Sequence, residues 1–301
     1  MSGHIPTLRV YLHGGMLKTA RAGTFPFMAL LARTMESQGW RVSFERANPA
    51  AHDTPPPPGD YALFHMKPPA HPRTLTLRRA YHYPFWRIEP VSERWRFAVA
   101  QMPFDPETID PAEATAFARR LRARVLPGPE PRPGDRVLVP LQGHIRRARS
   151  FQTMSPVEML KAVCRTGRPV TATLHPSETY DEADHTALTA IAARFPNLTL
   201  GGETMAILRD CAFVATENSA VAFDGMILGK AAVLFAQIDF HHVALSVADM
   251  GAEAALAAAP GHAPDYARFL WWFLKQESID AQAPDAGARI LASMRRGGWP
   301  V

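Results

Sequence analysis

The sequence predicts an α/β protein of two domains, each a largely parallel sheet with helices packed on it. Three observations carry this expectation. Short apolar, strand-like runs alternate with longer helix-like ones along most of the chain. A stretch rich in proline and glycine, LPGPEPRPGD at 126–135, separates two such series. Polar residues also recur directly after the strand candidates, where open parallel sheets bind ligands. With 301 residues, 47% hydrophobic and 20% charged, the chain has the length and composition for two folded domains.

In the first half, TLRVYL at 7–12 reads as a strand that ends in His13-Gly14-Gly15. FPFMALLARTMESQGW has helical spacing, with Gly39 as its stop. WRVSFE and DYALFH supply two further strands, and the prolines of TPPPPGD exclude a regular element between them. Residues 71–105, including the aromatic YHYPFWRIEP, read as irregular, either a loop facing an acceptor or one pinned to the core. DPAEATAFARRLRARV then starts a helix with Asp110 as cap, Pro111 in the first turn and Glu113 completing the pattern. The domain boundary is expected near 130, giving domains 1–130 and 131–260.

The second half is more regular. RVLVPLQ, PVTATLHP, NLTLGG, CAFVAT and AAVLF read as strands. SPVEMLKAVCRTG, DEADHTALTAIAARF, ETMAILRD and NSAVAFDGMILGK read as the helices between them, a run of βα units that calls for a parallel sheet covered on both faces. Residues 261–301 hold two further helices, PDYARFLWWFLKQ and APDAGARILASMRR, expected to pack across the domains.

Composition narrows the function. The net charge of +5 resides partly in Arg119-Arg120-Leu121-Arg122 and Arg146-Arg147-Ala148-Arg149, which suit a nucleotide, an anionic glycan or a phospholipid surface, or a plain solvated face. No reading element interleaves aromatics with these arginines, so nucleic acid is not expected as a partner. Cys164 and Cys211 each sit in an apolar run and read as buried free thiols. The start MSGHIPTLRVYLHGG lacks the features of a signal peptide, and no apolar run is long enough to span a membrane. A cytoplasmic protein is expected, with peripheral membrane attachment left open.

The strand ends gather the candidate chemistry: His13, His65, Gln142-Gly143-His144, His175-Pro176-Ser177-Glu178 and Glu217-Asn218-Ser219. His175 either bonds a ligand or ties its own loop. Asn218 and Ser219 either cap the next helix or hold a phosphate at its N-terminus. Lys230 and Gly229 suit a structural helix stop. No HxxxH, HExxH or Asp-x-Asp is present, and the adjacent His241 and His242 would point apart on an extended backbone, so no metal site is expected. GxGxxG, the phosphate-loop pattern and GxSxG are also missing, which argues against a dinucleotide fingerprint and against Ser219 as a nucleophile.

VLVPLQ, SPVEMLKAV, HPSE and TENSAVAFDGMILGKAAVLF together resemble the capsular polysaccharide biosynthesis proteins related to bacterial capsule Kdo transferases, best over 136–237. The resemblance implies a GT-B fold of two Rossmann-like domains and transfer of a sugar from a nucleotide-sugar donor to a glycan or glycolipid acceptor. CMP-Kdo is the donor it suggests, with no further cofactor. Gln142, His175-Pro176, Asn218-Ser219 and Gly229-Lys230 match the family pattern, and Asp224 stands where a glutamate is usual. His175, Asn218 and Ser219 would then contact the donor nucleotide, and Asp224 would hold a donor hydroxyl. His144, Ser177 and Glu178 complete the expected donor-binding set. The first domain would bind the acceptor and supply the base, with His13 first and His65 and Asp60 behind it. The sequence departs from the pattern at Thr173, where lysine is usual, at Ala231, where proline is usual, and in QGHIRRARSF after Gln142. The other reading is a transferase fold without activity that binds glycan or assembles with capsule proteins, to be recognised by an exposed RFLWWFL surface.

Overall fold

The computed structural model describes residues 4–301, and contacts divide the chain into two compact units. One takes the chain up to Met102 and again from Phe273 to Val301, and the other is Pro103–Trp272. The proline-rich stretch at 126–135 lies inside the second unit, as does the helix that precedes it.

In the first unit, β1 (Thr7–Leu12) alternates half-buried and buried positions, with Leu8, Val10 and Leu12 facing the core. α1 (Gly14–Arg21) follows at once and was not expected, because its apolar stripe is only Leu17 and Ala20. α2 (Pro26–Ser37) buries Phe27, Met28, Leu31 and Met35. Gly39 stops it at φ +80°, where the Trp40 N–H reaches back to Met35 O at 3.1 Å. β2 (Arg41–Arg46), the short α3 (Pro49–Asp53) and β3 (Tyr61–His65) come next.

The aromatic segment expected to be irregular instead forms a hairpin of β4 (Thr74–Arg79) and β5 (Phe85–Glu89), followed by α4 (Ala98–Gln101). All of β5 is buried, so it shows no alternation to read. Trp86 is the reason the segment is core, since its ring stacks on Phe27 at 4.5 Å. The buried Arg87 donates through Nη1 and Nη2 to the carbonyls of Glu277 and Phe273.

The second unit opens with α5 (Pro111–Val125), capped as expected by Asp110, whose carboxylate accepts from the N–H groups of Ala112 and Glu113. Such a cap is worth about 1 kcal/mol. β6 (Val137–Pro140), α6 (Pro156–Cys164), β7 (Val170–Thr173), α7 (Glu182–Arg194) and β8 (Leu198–Leu200) follow. α6 and α7 both start with a capping box, built on Ser155 with Glu158 and on Asp181 with Asp184. Then come α8 (Thr204–Asp210), β9 (Phe213–Thr216), α9 (Ala220–Ile227) and β10 (Ala231–Leu234). Gly229, at φ +75°, ends α9 as expected, with the Lys230 N–H on Gly225 O.

β11 (Leu245–Ser246), α10 (Val247–Met250), α11 (Ala252–Ala258) and α12 (Tyr266–Trp271) complete the unit. Its six strands run in the order β11-β10-β9-β6-β7-β8, all parallel. Counted within the unit, this is the 3-2-1-4-5-6 order of a dinucleotide-binding sheet.

A π-helical turn at Trp272–Gln276 extends α12. Phe269, Leu270, Trp272, Phe273 and Leu274 are all buried, so the apolar segment that would have pointed to a binding scaffold presents no such surface. β12 (Ile279–Asp280) and α13 (Ala286–Arg296) then rejoin the first unit. Its sheet reads β12-β5-β4-β3-β1-β2, with β2, β1, β3 and β4 parallel and β5 antiparallel to both of its neighbours, β4 and β12. The molecule is therefore an α/β protein of two Rossmann-like units with C-terminal helices. No helix among the described residues is long and apolar enough to cross a membrane.

Candidate functional site

In the second unit the strand order reverses between β6 and β9, which are neighbours although β7 and β8 intervene in sequence. The chain leaves β6 to one side and β9 to the other, so a crevice opens beyond their carboxyl ends. Gln142 and Gly143 follow β6 there, and Glu217, Asn218 and Ser219 follow β9. The alternation of strands and helices places these residues without any help from their own chemistry.

Glu217 is the unusual member. It is 0% exposed, yet a carboxylate directly ends the apolar run of β9. Its Oε1 accepts from Arg149 Nη2 at 3.2 Å and from Gln152 Nε2. Gln152 Oε1 in turn accepts from the Arg149 backbone N–H at 2.6 Å, closing a ring of three residues. The Gln142 backbone N–H faces the carboxyl group as well, while Oε2 has no hydrogen-bond partner among the described residues. Burial pushes the Glu217 carboxyl above its ordinary value, against the pull of Arg149 and Gln142. The segment carrying Arg149 is anchored on the strand side. Thr153 N–H reaches Phe235 O at 2.8 Å, and Gln237 N–H reaches Phe151 O at 2.9 Å.

The loop after β7 meets the same edge. The Tyr180 hydroxyl accepts from the His175 N–H at 3.0 Å and lies 3.5 Å from Leu141 O. His175 itself is exposed, and its Nδ1 accepts from the Ser177 N–H at 3.2 Å. The loop-tying reading of His175 is thus present, and its Nε2 has no protein partner among the described residues. Glu178 lies directly against Gly143, where an added Cβ would run into its carboxylate. His144 is exposed at φ +60°.

Ser219 caps α9 by accepting from the Val221 N–H at 3.3 Å, and Asn218 Nδ2 donates to Gln237 O at 3.3 Å. Asp224 sits half-buried one turn into α9. Gln142, His175, Ser177, Glu178, Asn218 and Ser219 therefore share one edge of the sheet. Lys230 belongs to the opposite, amino-terminal edge, where its ammonium is held by the carbonyls of Arg132 and Cys211 at 2.6 and 2.7 Å.

In the first unit the parallel strands run β2-β1-β3-β4, so the reversal falls between β1 and β3. His13 and His65 close those two strands and are near enough to repel as cations. Burial, and then His13, Arg79 and Arg78, pull the His65 pKa down to about 4. A cavity of about 500 Å³ opens beside His13, lined also by Asn48, His52, Asp53, Phe64 and Lys67. Asp60 is not part of this group. It precedes β3 at the other end of the strand, where it binds Arg9 Nη2, His4 Nε2 and the Thr7 N–H, each at 3.1 Å. Burial alone would raise its pKa, but these hydrogen bonds outweigh it and hold the carboxyl below its ordinary value.

His241 and His242 do not point apart as an extended backbone would make them. They lie in a 3₁₀ turn with their rings stacked at 4.3 Å, because helical φ/ψ turns successive side chains through far less than 180°. No cluster of three or more potential metal ligands occurs among the described residues. Cys164 and Cys211 are buried and unpaired.

Gln152 and Tyr180 were not among the expected site residues, whereas Glu217 was read as a strand end and Arg149 as part of a basic cluster, with nothing to join the two. A glutamate ending an apolar strand was the available signal for Glu217. Its partner lies 68 residues earlier in the basic 146–149 cluster, and nothing in the sequence pairs the two.

No family profile matches the chain, and no curated protein is significantly similar to it in sequence. Among solved structures, the chain is similar to the KpsC beta Kdo 2,7 transferase of Thermosulfurimonas dismutans. That likeness has 12% identity over 80% of this chain and 83% of the other, with a TM-score of 0.47. It is also similar to the KpsC beta Kdo 2,4 transferase of the same organism, at 15% identity over 79% and 81% of the two chains, with a TM-score of 0.44. A UDP-GlcNAc 2-epimerase of Methanocaldococcus jannaschii aligns over 97% of this chain and all of that one, at 8% identity and a TM-score of 0.34.

Proposed function

We propose that this protein is a glycosyltransferase of the GT-B kind, which moves a sugar from a nucleotide-activated donor to a capsule or surface polysaccharide acceptor. CMP-Kdo is the donor favoured by the sequence resemblance. The observation that carries the reading is the second unit's strand reversal. There the residues of the capsule-protein pattern, Gln142, His175, Asn218 and Ser219, line the carboxyl edge of a 3-2-1-4-5-6 sheet.

In this reading the second unit binds the donor. The positive end of α9 and the exposed His175 stabilise the phosphate as negative charge develops on it. An imidazole of the first unit, His13 or His65, takes the proton of the acceptor hydroxyl. The acceptor oxygen then bonds to the anomeric carbon as the bond from that carbon to the phosphate oxygen breaks, and the nucleotide leaves with the electron pair. A His65 pKa of about 4 keeps that ring neutral, and so able to accept a proton, at ordinary pH.

Calorimetric titration with CMP, CDP, UDP and GDP, with and without Mg²⁺, tests the reading. Metal-independent binding of CMP above the others supports a CMP-sugar donor. Preference for UDP or GDP keeps the enzyme class and rejects that donor, and failure to bind any nucleotide or intact nucleotide-sugar rejects the class.

A further inference from the structure

The second unit lacks the lysine expected two residues before His175. Thr173 stands there instead, buried and paired with the Thr204 hydroxyl at 3.1 Å. A phosphate or carboxylate at this edge needs a cation from elsewhere. Arg146 and Arg149 both lie on the loop after β6, and their surroundings differ.

Arg146 is committed to the protein. Its Nε donates to Asp184 and its Nη2 to Asp181, both at 2.7 Å, so two carboxylates at the start of α7 neutralise one exposed guanidinium. Arg149 is held by one carboxylate, the fully buried Glu217, through Nη2 alone. Its guanidinium lies over the Phe151 ring at 4.8 Å, and its side chain is 35% exposed. Glu217 takes only Nη2, while Arg149 Nε and Glu217 Oε2 are both buried without a hydrogen-bond partner among the described residues. Gln152 fixes the pair from the third side. A planar guanidinium braced by a buried carboxylate and stacked on a ring, with part of its donor surface still exposed, is suited to a charge-assisted hydrogen bond to an oxyanion.

We propose that Arg149 is the anion-binding residue of this site, taking the phosphate or carboxylate of the ligand, and that Glu217 is its positioning residue. The inference rests on the donor reading above only for the identity of the ligand. Arg149 supplies the cation that Thr173 does not. Glu217, having no exposed surface, acts on the ligand through Arg149 and not by contact.

The test is calorimetric titration of CMP, UDP, GDP and inorganic phosphate against the wild type, Arg149→Lys, Arg149→Gln, Arg146→Ala and Glu217→Gln, each checked for folding by thermal melting. Arg149→Gln is expected to weaken binding on the order of tenfold or more, the loss that goes with one charge-assisted contact. Arg149→Lys keeps the ion pair with Glu217 and restores part of the affinity. Arg146→Ala binds within about twofold of wild type, the ordinary scatter for a residue outside the contact. Glu217→Gln weakens binding alone and adds nothing in the Arg149→Gln background, a coupling that a merely structural glutamate would not show. Wild-type affinity in both folded Arg149 variants overturns the proposal and leaves the donor reading standing. Phosphate binding that depends on Arg149, without binding of any nucleotide or intact nucleotide-sugar, supports the proposal and overturns the donor reading. A wild type that binds neither phosphate nor any nucleotide or nucleotide-sugar overturns both.

Discussion

The two sheets end their central strands in different chemistry. In the second unit, β9 ends in a buried carboxylate that braces an arginine, with the polar loops after β6 and β7 gathered beside it. In the first, β1 and β3 end in two imidazoles next to a cavity with Phe64 in its wall. The topologies place both sets by the same rule, at the point where the strand order reverses. What differs is the state of charge. A buried Glu–Arg pair is a fixed field that suits an anion, whereas a partly buried histidine held neutral suits proton exchange. The proposed division between a donor-holding unit and a proton-accepting unit rests on that contrast.

The largest expected effect comes from breaking the buried pair. Glu217→Ala strands Arg149 and Gln152 and should cost about 2–3 kcal/mol, toward the low end for a broken buried pair because Arg149 is partly solvated. Urea unfolding checks this. A loss under 0.5 kcal/mol would mean that the carboxylate does not organise the edge.

A smaller effect, and one of opposite character, is expected at His65. Its folded pKa is depressed to about 4, so between that value and the ordinary 6.5 the unfolded chain holds the extra proton. Stability should therefore be complete above pH 6.5 and fall as the pH drops toward 4. His65→Gln should remove about 1–2 kcal/mol of that decline, after allowance for partial exposure. Unfolding midpoints at pH 7.5 and pH 5 for both proteins measure the slope, and equal slopes would contradict the assigned environment.

The smallest effect on stability is expected at His175. His175→Ala should change unfolding by no more than about 0.5 kcal/mol, since the ring is exposed. The same variant should weaken nucleotide binding several-fold, and His13→Ala should leave that binding unchanged. Loss of affinity in both, or in His13→Ala alone, would erase the distinction between the two strand reversals.

Much of this architecture was legible because local signals agreed with the final packing. Asp110 announced α5, and Gly39 and Gly229 ended α2 and α9 where a left-handed residue was needed. The strands of the second sheet were short, apolar and evenly spaced. The β4–β5 hairpin was not legible, since a strand buried along its whole length has no period and β5 even buries Arg87 and Glu89. Nor was the return of β12 to the first sheet, which rests on two residues pairing with Phe85 and Trp86.

The site divided in the same way. Strand ends such as Gln142, His175 and Asn218-Ser219 could be read from periodicity, because the fold alone sets their place. Asp60 could have been sorted from them, since it opens the run DYALFH that His65 closes and so lies at the other edge of the sheet. The Arg149–Gln152–Glu217 ring was invisible because its parts meet only when the loop after β6 crosses to β9.

The most direct test of the donor reading is a crystal structure of the protein with CMP bound. The account predicts the phosphate beyond the carboxyl ends of β6 and β9, within hydrogen-bond distance of Arg149 and of the Asn218–Ser219 segment. A nucleotide seated at the amino-terminal edge of that sheet, or in the cavity beside His13, would contradict it.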